Sequence, residues 1–214
     1  MNDPIVVDFE GFTGKAPVLA GVLVDGVFAQ AAFTDVEPAL AMAAQAKGLA
    51  CVEFAGFCRG LVERARAERR AICGFSIREK QCIAEALGEA WPADVDYLDA
   101  KRCAKSWRTS EHPGEGARLA RVRRLRSKRG VYCRGYGNRL VDFVRRSGER
   151  IPSNYAHGRV TATLRRVIEQ ARSKSSFADF PPGAKRAWTR LLEHNRLDCV
   201  WARAFVGRCV SSDR

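Results

Sequence analysis

Two apolar runs, residues 18–25 and 27–33, meet at Asp25-Gly26. An Asp-Gly pair supplies the positive backbone φ angles that a two-residue β-hairpin needs. The spacing therefore predicts two antiparallel strands joined by a tight turn. A third apolar run precedes them over residues 4–9, with a turn at 14–16, so three antiparallel strands open the chain. Residues 71–75 and 95–98 are two further short apolar runs. They are separated by a helical pattern over 77–87 that stops at Gly88. Upstream, residues 36–46 are Ala-rich and read as a helix, and 48–53 as a short strand or a helix start. Apolar residues recur at helical spacing from 53 to 70. This order predicts an α/β fold with a mixed five-stranded sheet. Three strands are antiparallel, and two later ones run parallel to the first through helical crossovers.

The second half changes character. Residues 101–130 hold 11 Lys and Arg against two acids, Glu111 and Glu115. Residues 109–116, with one Pro and two Gly, read as a loop. Arg118, Arg121, Arg123, Arg124, Arg126, Lys128 and Arg129 follow, too dense for one helix face, and the density suits a flexible or partly ordered arm. Helices are expected over 136–147, 161–171 and 184–206, so the C-terminal half is mainly helical. The expectation is one domain over 1–214, with a basic insertion at about 101–135.

Charge is divided between the halves. Residues 1–100 carry nine Lys and Arg against 15 Asp and Glu, a net −6, whereas 101–214 carry 28 against nine, a net +19. A cationic half of this strength suits a polyanion, with a solvated loop as the alternative. Tyr132, Tyr136 and Trp107 are available to stack on bases or to serve as core. No apolar run approaches the roughly 20 residues of a membrane span, and the acidic start is expected not to be a secretory signal. A cytoplasmic protein with no membrane partner is the expectation. None of the eight cysteines forms a C-x-x-C pair. They read as small buried hydrophobes in a reducing compartment, with disulfides left open by the even count.

The first strand also carries chemistry. Alternation along a strand puts Asp8 and Glu10 on one face. Adjacent carboxylates repel unless a cation sits between them. The pair is either a divalent-metal site or a strand end with two solvated acids. Glu79 follows the strand at 71–75, where the chain turns back over the sheet and ligands collect. It also closes a Ser76-x-x-Glu79 capping box, and the two roles are compatible. Asp99, at the end of the next strand, is the fallback acid. Near the far end, Asp198 lies between Leu197 and Cys199 in an apolar stretch of helix, where an acid needs a partner. His194 stands four residues earlier, on the same helix face.

This set resembles the DEDD exonuclease superfamily of the ribonuclease H-like fold. That family has Asp-x-Glu on the first strand, an acid after the fourth strand and an Asp on a late helix. Asp8, Glu10, Glu79 and Asp198 match those positions. His194-Asn195-Arg196-Leu197-Asp198 is similar to the Y-N-x-x-D motif of the predicted ribonuclease H-like subgroup, with His at the Tyr spacing. Phe75-Ser76-Ile77-Arg78-Glu79 is similar to its Y-N-x-x-E motif. The stretch from Gly135-Tyr136-Gly137-Asn138-Arg139-Leu140 through Ser147-Gly148 resembles a further helix of that subgroup. Residues 101–130 match nothing in the family.

The resemblance implies a metal-dependent nuclease acting on DNA or RNA, most simply a 3′→5′ exonuclease. Its acids would hold two Mg²⁺ or Mn²⁺ ions about 3.5–4 Å apart. Asp8 would bridge both ions, Glu10 and Asp198 would share them, and Glu79 would act directly or through water. His194 would orient or deprotonate the attacking water. The basic segment 118–129 would grip the phosphate backbone. A structure-selective endonuclease on the same fold and a non-catalytic nucleic-acid-binding protein are the competing readings.

Overall fold

The computed structural model describes residues 2–131, 137–153, 155 and 158–212, with side chains as far as 209. Six strands form one mixed sheet in the order β4-β3-β2-β1-β5-β6. Strands β1 (Ile5–Gly11), β2 (Pro17–Val24) and β3 (Val27–Phe33) are the antiparallel meander. Asp25 at φ 50° and Gly26 at φ 82° make its second turn, the backbone that an Asp-Gly hairpin adopts. Strands β5 (Ile72–Gly74) and β6 (Tyr97–Asp99) run parallel to β1.

The sixth strand corrects the five-stranded expectation. β4 (Ala50–Val52) pairs parallel with β3 and forms the opposite edge. Three residues are too short to show alternation, which left 48–53 ambiguous in the sequence.

Two helices cover one face. Helix α2 (Phe54–Glu68) and helix α3 (Ile77–Leu87) pack Leu61, Val62, Ala65, Cys82 and Ile83 against Ile5, Val7 and Phe33. The other face takes α1 (Leu40–Gln45), α4 (Ala100–Glu111), α7 (Val160–Ser173) and the long α8 (Pro182–Ser212). There Val18 and Leu19 meet Trp188 and Leu191, while Val6 and Leu23 meet Cys199 and Ala202. Alternation along β1 therefore sends Ile5 and Val7 toward α2 and α3, and Val6, Asp8 and Glu10 toward α8. Helix α6 (Leu140–Arg146) packs Phe143 and Val144 against Trp201 and Phe205 of α8.

The basic segment is helical rather than a loose arm. The expected loop at 109–116 shrinks to three residues between α4 and α5 (Glu115–Lys128). Leu119 is the one buried residue of α5, and the cations spread around the rest of its surface. Leu119, Val122 and Leu125 stand among dense cations, so the segment offers only a weak apolar stripe to read. Trp107 packs against Phe205 with ring centroids 5.5 Å apart, and the Arg208 guanidinium lies over its ring. Tyr132 and Tyr136 lie outside the described residues, and the helix expected over 136–147 begins only at Leu140, after its N-cap Arg139. Among the described residues the seven cysteines are free thiols, and no helix is long and apolar enough to cross a membrane.

Candidate metal centre

The register of β1 creates the site. Its parallel partner β5 pairs with Ile5 and Val6 and ends at Gly74, after which Ser76 caps α3. Strand β1 continues through Gly11 alongside β2, with Asp8 opposite Gly21 and Glu10 opposite Leu19. Asp8 and Glu10 thus project beyond the carboxyl end of β5, where the sheet opens a crevice. Both are buried, at 9% and 7% exposure.

Helix α8 closes the crevice. Asn195 is fully buried, and its Nδ2 donates to Asp8 Oδ2 at 2.8 Å and to the Asp8 backbone oxygen at 3.0 Å. Its Oδ1 accepts from Gln30 Nε2 at 2.9 Å, and that amide also donates to the Leu192 carbonyl at 3.0 Å. This approach needs glycine on β2. A Cβ at Gly21 would overlap Asn195 Oδ1 and sit 2.9 Å from its Cγ. One turn either way along α8 lie Asp198 and Leu191, facing the crevice and the core.

His194 and Asp198 complete the cluster with Glu10. His194 Nε2 lies 3.4 Å from Glu10 Oε1 and 3.6 Å from Asp198 Oδ2. One ligand atom from each of Glu10, His194 and Asp198 falls within 4.8 Å of the other two. Tyr155, which the sequence reading missed, donates its hydroxyl to Asp198 Oδ1. Its ring stacks on His194 at a centroid distance of 4.2 Å and meets Trp201 at 5.0 Å. No local pattern marks Tyr155, because only the tertiary fold brings residue 155 to residue 198.

Glu79 takes the capping role expected of it. Its Oε2 accepts from the Ser76 backbone N–H at 2.9 Å and from Ser76 Oγ at 3.1 Å, which is the capping box. Its negative charge also acts on Asp8, Glu10 and Asp198. Gly74 makes room for it, since a Cβ there would lie 2.7 Å from Glu79 Cβ. Asp99 is used differently: its Oδ1 accepts from Arg102 N at 3.0 Å and caps α4.

The electrostatics are those of crowded acids. Burial, and then the mutual repulsion of the acids, hold Asp8 and Glu10 well above the usual carboxylate range. Burial pushes Asp198 up to about 7, with Glu79 adding to the rise and the Tyr155 hydroxyl opposing it. Burial raises Glu79 as well, against its bonds to Ser76. Among the described residues no Lys or Arg forms an ion pair with any of the four. Glu10 Oε1 is buried and accepts no hydrogen bond from a described residue. Buried charge is held by a partner or a metal, and this arrangement has the donor set and the open acceptor for a divalent cation. The basic residues expected to bind nucleic acid lie on α5, away from this chemistry in the chain. Arg118 among them is paired with Glu115 at 3.0 Å.

No protein-family model, curated protein or solved structure matches this chain.

Proposed function

We propose that the protein is a metal-dependent nuclease of the ribonuclease H-like type, with Asp8, Glu10, Glu79 and Asp198 as its metal-holding acids. The observation that carries this reading is the convergence of three buried carboxylates, Asp8, Glu10 and Glu79, with the half-buried Asp198 at the carboxyl end of the sheet, none of them ion-paired to a Lys or Arg among the described residues. The meander followed by two strands parallel to β1 supports the fold assignment.

Glu10 Oε1, Asp198 Oδ2 and Asp8 would hold Mg²⁺ or Mn²⁺, with Glu79 contributing directly or through water. When bound, a pair of such ions supplies an activated water and stabilises the leaving oxygen of a phosphodiester. The chain's own groups do the rest. Asn195 fixes the Asp8 carboxylate. Tyr155 engages one oxygen of Asp198 and leaves the other facing His194. His194 Nε2 orients the attacking water and takes its proton. Oxygen donors favour hard cations such as Mg²⁺ and Mn²⁺.

The test is cleavage of end-labelled single-stranded and duplex DNA and RNA, with Mn²⁺ or EDTA. Cleavage that needs Mn²⁺ and is lost in Asp8→Ala is expected. Mononucleotide products identify an exonuclease, and defined internal cuts an endonuclease. Salt-sensitive binding with no cleavage of any substrate would instead establish a non-catalytic binding protein.

A further inference from the structure

We propose that the cleft between α7 and the first half of α8 is the track for one nucleic-acid strand, with its phosphates held by Arg159, Arg166, Arg186 and Arg190. That the strand leads to a cleavage centre rests on the nuclease reading above. The cleft as an anion-binding track rests on its own geometry.

The cleft is a cavity of about 690 Å³ with these four arginines on its walls. Its floor is made of small residues, among them Ala162, Gly183 and Ala187, so the walls stand clear of each other. All four arginines are exposed, and among the described residues none of them forms a salt bridge. Arginines elsewhere in the chain do find acids: Arg70 pairs with Asp25, Arg146 with Glu115 and Arg172 with Glu37. Four guanidinium groups with no acidic partner among the described residues focus a positive field around one concavity, where an anion must enter. Gly183 is part of the construction. A Cβ there would lie 2.6 Å from Arg166 Nη2, so the glycine lets that guanidinium lie across the start of α8.

The cleft is joined to the acid cluster. Tyr155 lines it and donates its hydroxyl to Asp198. Along α8, Arg186, Arg190, His194 and Asp198 stand four residues apart. At 1.5 Å rise per residue, Arg190 and Arg186 lie about 12 and 18 Å along the axis from Asp198. One ridge therefore runs from phosphate-binding groups to metal-binding ones. A volume in the range of small-ligand pockets matches nucleotides of a single strand. Helix α5 is more densely basic, but its cations surround a convex surface and Arg118 is already paired.

The experiment is fluorescence anisotropy of labelled single-stranded DNA and RNA oligonucleotides with the full chain in EDTA, where no cutting occurs. The variants are Arg186→Gln/Arg190→Gln in the cleft and Arg124→Gln/Lys128→Gln on α5. All four side chains are exposed, and thermal melts check that each variant folds. Ala162→Glu, which puts a negative charge on the cleft floor, is a second test of the same surface. We expect the cleft pair to weaken binding about tenfold and to lower the salt slope of log Kd by about 1.4, at roughly 0.7 per lost contact. Ala162→Glu should weaken binding likewise, and the α5 pair should change it less than about threefold. Cleft variants that bind like wild type, or a wild-type chain that binds neither oligonucleotide, would overturn the proposal. Binding lost in the cleft variants together with no cleavage by the wild type in Mn²⁺ would support the track and overturn only the nuclease reading.

Discussion

Asn195 and Asp8, 187 residues apart in the chain, are joined by two hydrogen bonds from one amide nitrogen, to the carboxylate at 2.8 Å and to the backbone oxygen at 3.0 Å. This contact pins the middle of α8 to the strand that carries the metal-site acids. Asn195→Ala takes the amide donor from the Asp8 carboxylate and backbone oxygen and leaves the Gln30 amide with the Leu192 carbonyl alone. A loss of about 1–3 kcal/mol in stability is expected for buried groups orphaned in this way. Mn²⁺ affinity should fall about 10–100-fold, as when a residue that orients a metal ligand is removed. Denaturant unfolding and Mn²⁺ titration measure the two effects. A variant with wild-type metal affinity would mean that Asn195 does not position Asp8.

Gly21→Ala tests the same contact from the other side. The added methyl would meet Asn195 at 2.9 Å from Cγ and Phe28 at 2.9 Å from Cε2. Overpacking of this kind costs about 1–3 kcal/mol, so the melting temperature should drop. Ala at Gly14 or Gly26 meets no atom within 4 Å, yet both positions have positive φ. Their cost would be backbone strain alone, and the Asp8–Asn195 contact should survive.

The stability of the metal-free protein should fall as pH rises. Asp8, Glu10, Glu79 and Asp198 all hold their protons more tightly when folded than unfolded, Asp198 to about 7. From about pH 4, where unfolded carboxyls ionise, up to the folded values, the folded chain binds more protons than the unfolded one. Stability therefore declines through that window. The predicted melting temperature in EDTA is lower at about pH 8 than at about pH 5, and Mn²⁺ should restore more at the higher pH. Asp198→Asn should flatten the dependence. A metal-free melting temperature that climbs across this range would contradict the burial of these acids.

Tyr155→Phe removes one hydroxyl and keeps the ring that packs on His194 and Trp201. The hydrogen bond from Tyr155 lowers the pKa of Asp198, so its loss should raise that midpoint above about 7. Protons then compete with metal at neutral pH, and the pH midpoint of Mn²⁺ binding should move upward. An unmoved midpoint would show that the hydroxyl does not engage Asp198.

The acids were legible in the sequence because local periodicity decides where they point. Alternation put Asp8 and Glu10 on one face, Ser76-x-x-Glu79 announced the start of α3, and a four-residue spacing linked His194 to Asp198. The hairpin was legible for the same reason, since Asp25-Gly26 has one favourable backbone solution. What stayed hidden depends on distant parts of the chain. Tyr155 stands in no pattern, and only folding brings it to Asp198. Asn195 lay inside the motif, but its role depends on Gly21 and Gln30 in the meander. The three-residue β4 was too short to read, and in α5 the dense cations around Leu119, Val122 and Leu125 hid the helix. The cleft arginines span 32 residues on two helices, so their convergence has no linear signature, whereas the dense run on α5 drew attention by its composition alone.

The most direct test of the metal centre is Mn²⁺ binding followed by calorimetry, with wild type compared with Glu10→Gln. That substitution keeps the shape of the side chain and removes the charge of the acid whose buried Oε1 accepts no hydrogen bond from a described residue. The prediction is saturable binding by the wild type near neutral pH, weakened at least about tenfold in the variant, or about 1.4 kcal/mol. No saturable binding by the wild type, or equal binding by Glu10→Gln, would contradict the claim that these carboxylates form a metal site.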